Sequence, residues 1–291
     1  MSTGTGPARA VPSGTDHVLG RIADGVGVIE LNRPERRNAL HPDMYDAIPR
    51  LIEAFDADDE VGCVLLTAAG PAFCAGGDVR EGTGRPRRGP RPSGGEGGGD
   101  GADDDAGVAE EAAALTHLAR MVVMLRESPM ISIAALPGPA VGAGIGLALA
   151  ADLRIAASSA TLVGGWSRLA FSGDFGGPWA LSRMLGPSRA LEFLIGTDPI
   201  DAEEAHRLGL VNRVVPDAEL RGAAMAWARR VAAGPRGAHA LIKQNVREAQ
   251  ELDLREALPR ESERMVRSGR SREHRDAVRR WIAGRRRPKE S

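Results

Sequence analysis

GPAVGAGIGLALAADLRIA, residues 138–156, is a glycine-rich turn that follows the apolar run Ile131–Leu136 and continues into an apolar, alanine-rich segment. Glycine lets a backbone turn sharply and approach a ligand closely. The first amide groups of a helix have no acceptor within the helix, and the helix dipole increases their attraction for negative charge. This stretch therefore predicts a strand, a turn and a helix whose first amides can bind an anionic atom.

A second glycine-rich turn, FCAGGD at residues 73–78, follows another short apolar run at residues 61–67. Two such turns that faced each other would place two backbone donors around one oxygen atom, as in an oxyanion hole. Each turn taken singly is explained equally well by close packing of backbone against backbone. Only the two turns together favour a catalytic site.

The remaining pattern indicates an α/β fold. Asp24-Gly25 separates two apolar runs, as in a two-residue hairpin. Alternating strands and helices are typical of a sheet with buried strands. Pro49 lies inside a predicted helix and is expected to kink it. The predicted elements are strands at 18–22, 26–31, 61–67, 131–136, 153–157 and 210–215, helices at 44–55, 115–125 and 202–208, and mostly helices after 178.

Composition divides the chain into a core and less regular parts. Residues 1–15 are rich in Gly, Ser, Thr and Pro, which predicts a disordered tail. The core is expected over residues 16–216. It is interrupted at 81–107 by a flexible Gly/Pro/Asp-rich insertion, either a dispensable loop or a lid, which buries too little apolar surface to become ordered. Residues 217–291 are predicted to be helical, with an apolar stripe that packs on the core or on another subunit.

Charge and cysteine content exclude several classes of function. The net charge is −1, which favours neither nucleic acid nor a membrane surface as a partner. No apolar run reaches the about 18 residues that a membrane span needs. Cys63 and Cys74 lack the spacing of a metal or redox motif, so no metal site is predicted. We therefore expect a cytoplasmic protein that binds neither nucleic acid nor membrane.

Four further segments accompany the two turns: Arg33-Pro34, Arg37-Asn38-Ala39-Leu40, GLVNRVVP at 209–216, and the basic tail 271–288. Together with FCAGGD and residues 138–156, they resemble the crotonase (enoyl-CoA hydratase/isomerase) superfamily over about residues 17–288, apart from the insertion. That resemblance implies a spiral of ββα units with a C-terminal helical region that drives trimerisation, as a homotrimer or dimer of trimers. It also implies an acyl-CoA thioester as substrate, with coenzyme A as part of it and no bound prosthetic group.

The resemblance also implies roles for individual residues. The oxyanion donors would be the backbone N–H groups of Gly77 and Ala143. The basic end of the chain could reach CoA phosphates, or it could be a solvated tail. The residues implied in CoA binding are Ala39, Leu40 and Ala75 on the adenine side, and Arg285 and Arg286 at the phosphates.

The sequence departs from the family pattern at the two glutamates that hydratases use. Gly146 and Trp166 occupy those positions. Addition of water needs a base for the water and an acid for the carbon, so two-glutamate hydration is not expected here, and neither is double-bond isomerisation by the second glutamate alone. Asp174 is the candidate replacement as acid/base, with Trp166 shaping the acyl pocket. The Trp-to-Asp spacing is similar to that of 4-chlorobenzoyl-CoA dehalogenases, in which the aspartate is a nucleophile.

Two readings of Asp174 remain open at this level. Burial against Phe171, Phe175 and Trp179 would raise its pKa and prepare it for proton transfer. Alternatively, it caps the helix that starts near Pro178.

His117 is a second catalytic candidate, one helical turn from Met121, where a dehalogenase histidine would fall. Asp78 and Asp152 are expected to be structural, with Arg80 or Arg154 as possible partners. Cys74 lacks a matched base, so a nucleophilic role is not expected. The leading hypothesis is an acyl-CoA lyase or isomerase; a hydrolase or dehalogenase and a non-catalytic acyl-CoA-binding protein are the alternatives.

Overall fold

The computed structural model describes residues 8–78, 101–196 and 198–285; for residues 101–105, 284 and 285 it describes the backbone alone. Residues 1–7, 79–100 and 286–291, which include parts of the predicted tail, insertion and basic end, lie outside the described residues. The strands are β1 (Arg9–Val11), β2 (Val18–Ala23), β3 (Val26–Leu31), β4 (Cys63–Ala68), β5 (Ile131–Leu136), β6 (Ala140–Val141), β7 (Leu153–Ala157), β8 (Thr161–Val163), β9 (Ile200–Asp201) and β10 (Arg213–Val215).

The helices surround a central sheet. They are α1 (Met44–Asp56), α2 (Gly101–Leu118), α3 (Arg120–Glu127), α4 (Ala143–Ala150), α5 (Gly177–Leu185), α6 (Pro187–Ile195), α7 (Ala202–Arg207), α8 (Leu220–Ala232), α9 (Arg236–Glu248), α10 (Leu254–Gly269) and α11 (Arg272–Arg285). The predicted α/β class and the C-terminal helical region are confirmed.

The central sheet has the strand order β1-β2-β3-β4-β5-β7-β10. Strands β1 to β3 pair antiparallel, and β3, β4, β5, β7 and β10 pair parallel. A second sheet has the order β6-β8-β9. Because β4 and β5 are parallel neighbours, the two glycine-rich turns leave the sheet at the same edge.

Apolar side chains cover both faces of the central sheet. One face packs against α1, α3 and α4. On the other face, α8 packs against β3, β4, β5 and β7 through Ala224 and Trp227, which are buried. The apolar stripe of α8 therefore rests on its own core. Near-continuous burial of β3 and β4 is what a parallel sheet with two covered faces requires.

Some predicted boundaries are corrected by the structure. The hairpin at Asp24-Gly25 is confirmed, since both residues have positive φ (52° and 76°) and Ala23 pairs with Val26. The tail is not disordered throughout, because β1 pairs with β2 through backbone hydrogen bonds that composition does not encode. Residues 101–107 of the predicted insertion are helical, and the helix predicted at 115–125 is divided at Ala119. No helix among the described residues is long and apolar enough to cross a membrane.

Candidate active site

The two glycine-rich turns lie against each other. The Val141 N–H donates to the Cys74 carbonyl over 2.9 Å, and the Phe73 N–H donates to the Pro139 carbonyl over 3.0 Å. A Cβ atom built on Gly76 would come within 3.6 Å of the Ala143 nitrogen. The turns that sequence reasoning could only suppose to face each other are therefore joined by backbone hydrogen bonds.

The amides of Gly77 and Ala143 have no protein acceptor within the described part of the chain. The neighbours of Gly77 are held by Leu40, whose N–H donates to the Gly76 carbonyl over 2.7 Å and whose carbonyl accepts from the Asp78 N–H over 3.2 Å. Ala143 is the first residue of α4, where an N–H has no partner within the helix. Two available donors on fixed backbone suit an oxygen that gains negative charge.

Gly142 sets the direction of the second turn. Its φ of 53° and ψ of −123° lie in a region that only glycine adopts readily. This conformation ends β6 and starts α4 within one residue. It places the nitrogen of Ala143, the first residue of α4, close to Gly76 of the first turn.

Trp166 and Asp174 form a hydrogen-bonded pair beside this turn. The indole Nε1 donates to Asp174 Oδ1 over 2.8 Å. The same nitrogen lies 3.8 Å from the position of a Cβ on Gly142, and the ring packs against Gly177. Trp166 is 5% exposed, so the donor of this bond is shielded from water. The pair that the sequence proposed is thus brought together, close to the predicted oxyanion donors.

Asp174 does not cap a helix with its side chain. Helix α5 begins at Gly177 with Gly176 as its N-cap, and no side chain accepts a hydrogen bond there. The expected enclosure of Asp174 is only partial, because Phe171 is 43% and Trp179 is 37% exposed and only Phe175 is buried. The carboxylate is therefore half-buried and held by the indole.

Gly146 cannot carry the glutamate that hydratases place there. A Cβ on Gly146 would overlap the Phe175 carbonyl oxygen and come within 2.9 Å of the carbonyl carbon. The backbone just after Asp174 thus occupies the space of the missing side chain. The absence of a side chain at residue 146 therefore allows the backbone that follows Asp174 to lie against α4.

We expect Gly146→Glu and Gly146→Ala to destabilise the fold and to create no hydratase activity. Overpacking against a fixed backbone should cost about 3 kcal/mol, or roughly 5 °C in melting temperature for a chain of this length. The matched control is Gly222→Ala, because a Cβ there meets nothing within 4 Å. Glycine inside a helix costs about 1 kcal/mol relative to alanine, so this variant should not lower the melting temperature. Thermal unfolding of the four proteins measures this, and an unchanged melting temperature in Gly146→Ala would contradict the packing argument.

Tyr45, the single tyrosine of the sequence, belongs to the site but was not singled out from the sequence. It lies on α1, is 2% exposed, and its ring centroid is 6.0 Å from that of Phe175. Burial raises its pKa, and the nearby Cys74, Asp174 and Asp78 raise it further. Tyr45 is therefore a neutral donor near Asp174. Its place in the apolar pattern of α1 concealed this role.

Arg33 and Asn38 hold the segment that carries Ala39 and Leu40. The buried Arg33 guanidinium donates to the Ala39 carbonyl over 2.9 Å and pairs with Asp78 at 3.2 Å. Asn38 donates to two carbonyls of the loop before FCAGGD. Asp78 is thus structural, as expected, with Arg33 as a partner; Arg80 lies outside the described residues. The Leu40 N–H to Gly76 carbonyl hydrogen bond joins the segment that carries Ala39 and Leu40 to the turn that carries Ala75.

Asp152 is also structural, but its partners differ from those expected. It accepts from the N–H and hydroxyl of Ser132, each over 2.8 Å, and pairs with Lys243 at 2.8 Å. Arg154 instead donates to the carbonyls of Leu210 and Ala151. Burial lowers the pKa of Lys243, and Asp152 opposes that effect. The pair fastens α9 to the start of β7.

The other predicted site residues lie apart from this centre or cannot be placed. His117 is exposed on the last turn of α2, and Met121 is fully buried in the core. Arg285 is the final residue of α11, where only backbone is described, and Arg286 lies outside the described residues. A cavity of about 700 Å³ lies between α5, α9 and the start of β7, and its lining includes none of the predicted site residues.

Both cysteines should resist alkylation in the folded protein. Burial raises the pKa of Cys63 and of Cys74 to about 12, so both thiols are neutral. At pH 8, iodoacetamide should label both thiols only after unfolding, as mass spectrometry would show. In the unfolded chain the thiols ionise near pH 8.5, well below their pKa in the folded protein. The stability that depends on neutral thiols is therefore fully present below about pH 8.5 and is lost as the pH rises towards 12. Rapid labelling of Cys74 in the folded protein would contradict this expectation and make Cys74 a candidate nucleophile.

The fold and the site define a class. A mostly parallel sheet covered on both faces, with two joined turns that present backbone amides at one edge, is the crotonase arrangement that the sequence resembles. Comparison with known proteins agrees, since the profile of the family described as enoyl-CoA hydratase/isomerase matches residues 26–281. The chain belongs to the enoyl-CoA hydratase/isomerase family, and it is a hydratase/isomerase-like enzyme.

Individual relatives differ in the reactions they are named for. The 1,2-epoxyphenylacetyl-CoA isomerase of Escherichia coli K12 is 35% identical over 93% of this chain and 97% of its own. A 4-chlorobenzoyl coenzyme A dehalogenase of Arthrobacter sp. is 28% identical over 87% of this chain and 85% of its own. A Thermobifida fusca YX protein solved in complex with CoA has a TM-score of 0.74 and 30% identity, covering 87% of this chain and 93% of its own.

Proposed function

We propose that this enzyme is an acyl-CoA isomerase in which Asp174 moves a proton within the acyl group. The observation that carries the proposal is the Trp166–Asp174 hydrogen bond of 2.8 Å beside the Gly142 turn. It gives the site one oriented carboxylate where a hydratase of this family has two. A single acid/base can take a proton from one carbon and return it to another, whereas hydration needs a second group.

The reaction follows from the geometry of the backbone donors. The thioester oxygen would accept hydrogen bonds from the Gly77 and Ala143 amides, which stabilise negative charge on that oxygen. Asp174 then removes a proton from the acyl chain, and the electron pair is delocalised as a thioester enolate. Return of the proton at another carbon shifts the double bond. The composition of the acyl group is unchanged.

Trp166 and Tyr45 would support the carboxylate. The hydrogen bond from the indole N–H fixes the orientation of the Asp174 carboxylate. Tyr45 stays neutral because burial and neighbouring acidic groups raise its pKa. The isomerase named among the relatives, which aligns over almost the whole chain, also supports an isomerisation.

Coenzyme A would bind along the segment that Arg33 and Asn38 hold in place. Ala39, Leu40 and Ala75 are proposed to lie at its adenine side, and Arg285 and Arg286 at its phosphates. A homotrimer or dimer of trimers is proposed as the assembly. It is supported by exposed apolar residues of α10 and α11, among them Leu254, Met265 and Trp281.

The test is a panel of enoyl, arylacetyl and saturated acyl-CoA esters incubated with the enzyme in D2O. Isomerisation predicts deuterium incorporation by mass spectrometry together with a chromatographic shift and no other change of mass. A gain of one water would show hydration and overturn the proposal. Binding of esters without exchange or turnover would favour the non-catalytic alternative.

Nucleophilic attack by Asp174, as in a dehalogenase or hydrolase, is the second candidate. The Trp166–Asp174 pair and the dehalogenase relative favour it. Against it, the position of the expected histidine is Met121, which is buried and apolar. His117, one turn away, remains a predicted participant and is exposed. A single turnover in heavy-oxygen water decides the matter, because attack by Asp174 would leave label in its carboxylate.

A further inference from the structure

Three side chains outside the proposed catalytic centre form a cluster suited to a metal ion. One potential ligand atom from each of His17, His41 and Asp43 lies within 4.8 Å of the other two. His17 precedes β2, whereas His41 and Asp43 lie between the Leu40 segment and α1. The cluster therefore joins parts of the chain that are distant in sequence, which explains why no local spacing revealed it.

The distances fit the coordination of a transition metal. Asp43 Oδ2 is 3.6 Å from His17 Nδ1 and 3.4 Å from His41 Nδ1. Zinc bonds of about 2.0–2.2 Å in a tetrahedron place neighbouring ligand atoms about 3.3–3.6 Å apart. The ring centroids of His17 and His41 are 4.7 Å apart, and one ligand nitrogen of each ring lies within 4.8 Å of the other, so small rotations of these partly exposed imidazoles can bring both nitrogens to one ion.

The hydrogen bonds of the cluster agree with this use. His17 Nδ1 is buried and has no hydrogen-bond partner in the described part of the chain. His41 Nδ1 is the acceptor of a long 3.4 Å bond from the Asp43 N–H, so this nitrogen carries the lone pair that a metal needs. Asp43 is the N-cap of α1, yet its carboxylate caps no amide and faces the two rings instead.

We propose that His17, His41 and Asp43 bind one divalent transition-metal ion of the zinc type. Imidazole nitrogens exclude Mg²⁺ and Ca²⁺, which prefer oxygen ligands. Three protein ligands leave a fourth position for water. The ion would tie the start of β2 to His41, which directly follows the Leu40 that holds the oxyanion turn.

The test uses the full chain without an affinity tag and Zn²⁺ as the probe. Equilibrium dialysis should find one ion per chain. Saturation at about 100 times the dissociation constant should raise the melting temperature by about 5 °C. His17→Gln, His41→Gln and Asp43→Asn should each weaken binding at least about tenfold. The matched control, His274→Gln on the exposed face of α11, should bind as the wild type does.

Two further readouts keep the assignment testable if a variant folds poorly. Co²⁺ in place of zinc should give visible absorption without a thiolate charge-transfer band, because Cys63 and Cys74 are buried and neutral. Zinc should slow hydrogen exchange in peptides that contain Leu40 and Val18. Absence of binding, binding unchanged in a His17→Gln/His41→Gln double variant, or a thiolate band would each overturn the proposal.

Discussion

Asp174→Asn should lower kcat by about 10²- to 10⁴-fold while leaving the dissociation constant of the acyl-CoA within a few-fold of the wild type. An amide cannot accept and return the proton, and a general acid/base contributes a factor of this size. The amide keeps the volume of the carboxyl group and can still accept from the Trp166 indole. Binding and packing are therefore expected to survive while the chemical step does not.

Two further variants test whether the loss of kcat is specific to Asp174. Asp59→Asn changes an exposed carboxylate that the proposed chemistry does not use and should leave kcat unchanged. Trp166→Phe keeps an aromatic ring but removes the N–H, and loss of a hydrogen bond to a charged group should cost about 10- to 100-fold. Equal turnover by Asp174→Asn and the wild type would remove Asp174 from the mechanism and direct the search to His117.

Ala143→Pro should lower kcat by about 10²- to 10³-fold, the usual loss for one oxyanion donor. Proline deletes the N–H of a single residue and suits this position, because Ala143 is the first residue of α4 and a helix tolerates proline there. The fold should persist. Steady-state kinetics on whichever ester the panel identifies, with circular dichroism as a check of helix content, measures the effect.

Ala143→Gly is the matched control, since it changes the side chain and keeps the donor. Its kcat should stay within a few-fold of the wild type. If both variants lose activity equally, the side chain matters and the amide does not. If Ala143→Pro folds and retains full activity, the thioester oxygen is not bound at this turn.

Local chemistry explains why so much of the fold could be predicted. Asp24 and Gly25 accept positive φ, so the hairpin follows from two residues. Strands β5 and β7 have their predicted bounds because each is a short apolar run buried on both faces. Strand β1 was missed because an edge strand is held by the backbone of its neighbour, which leaves little pattern in its own side chains.

The site was predictable only in part. The glycine turns, the Trp-to-Asp spacing and the absence of both glutamates can be recognised from residue types and spacing alone. Tyr45 was hidden because a buried tyrosine on α1 looks like any core residue. His17 and His41 were hidden because their partners lie on different elements. Residue types and spacing cannot report contacts that form only after distant segments pack.

The sequence by itself determined the family and most of the longer strands and helices, and it proposed Asp174 as the residue that carries the proton. Hydrophobic periodicity and turn-forming residues act over a few residues, so they can be recognised without knowledge of the fold. Only the tertiary structure decided that the two turns are joined, that Asp174 faces the Trp166 indole and caps no helix, and that Phe175 fills the space above Gly146. Those facts depend on distances between segments, which are fixed when β4, β5 and α5 pack together.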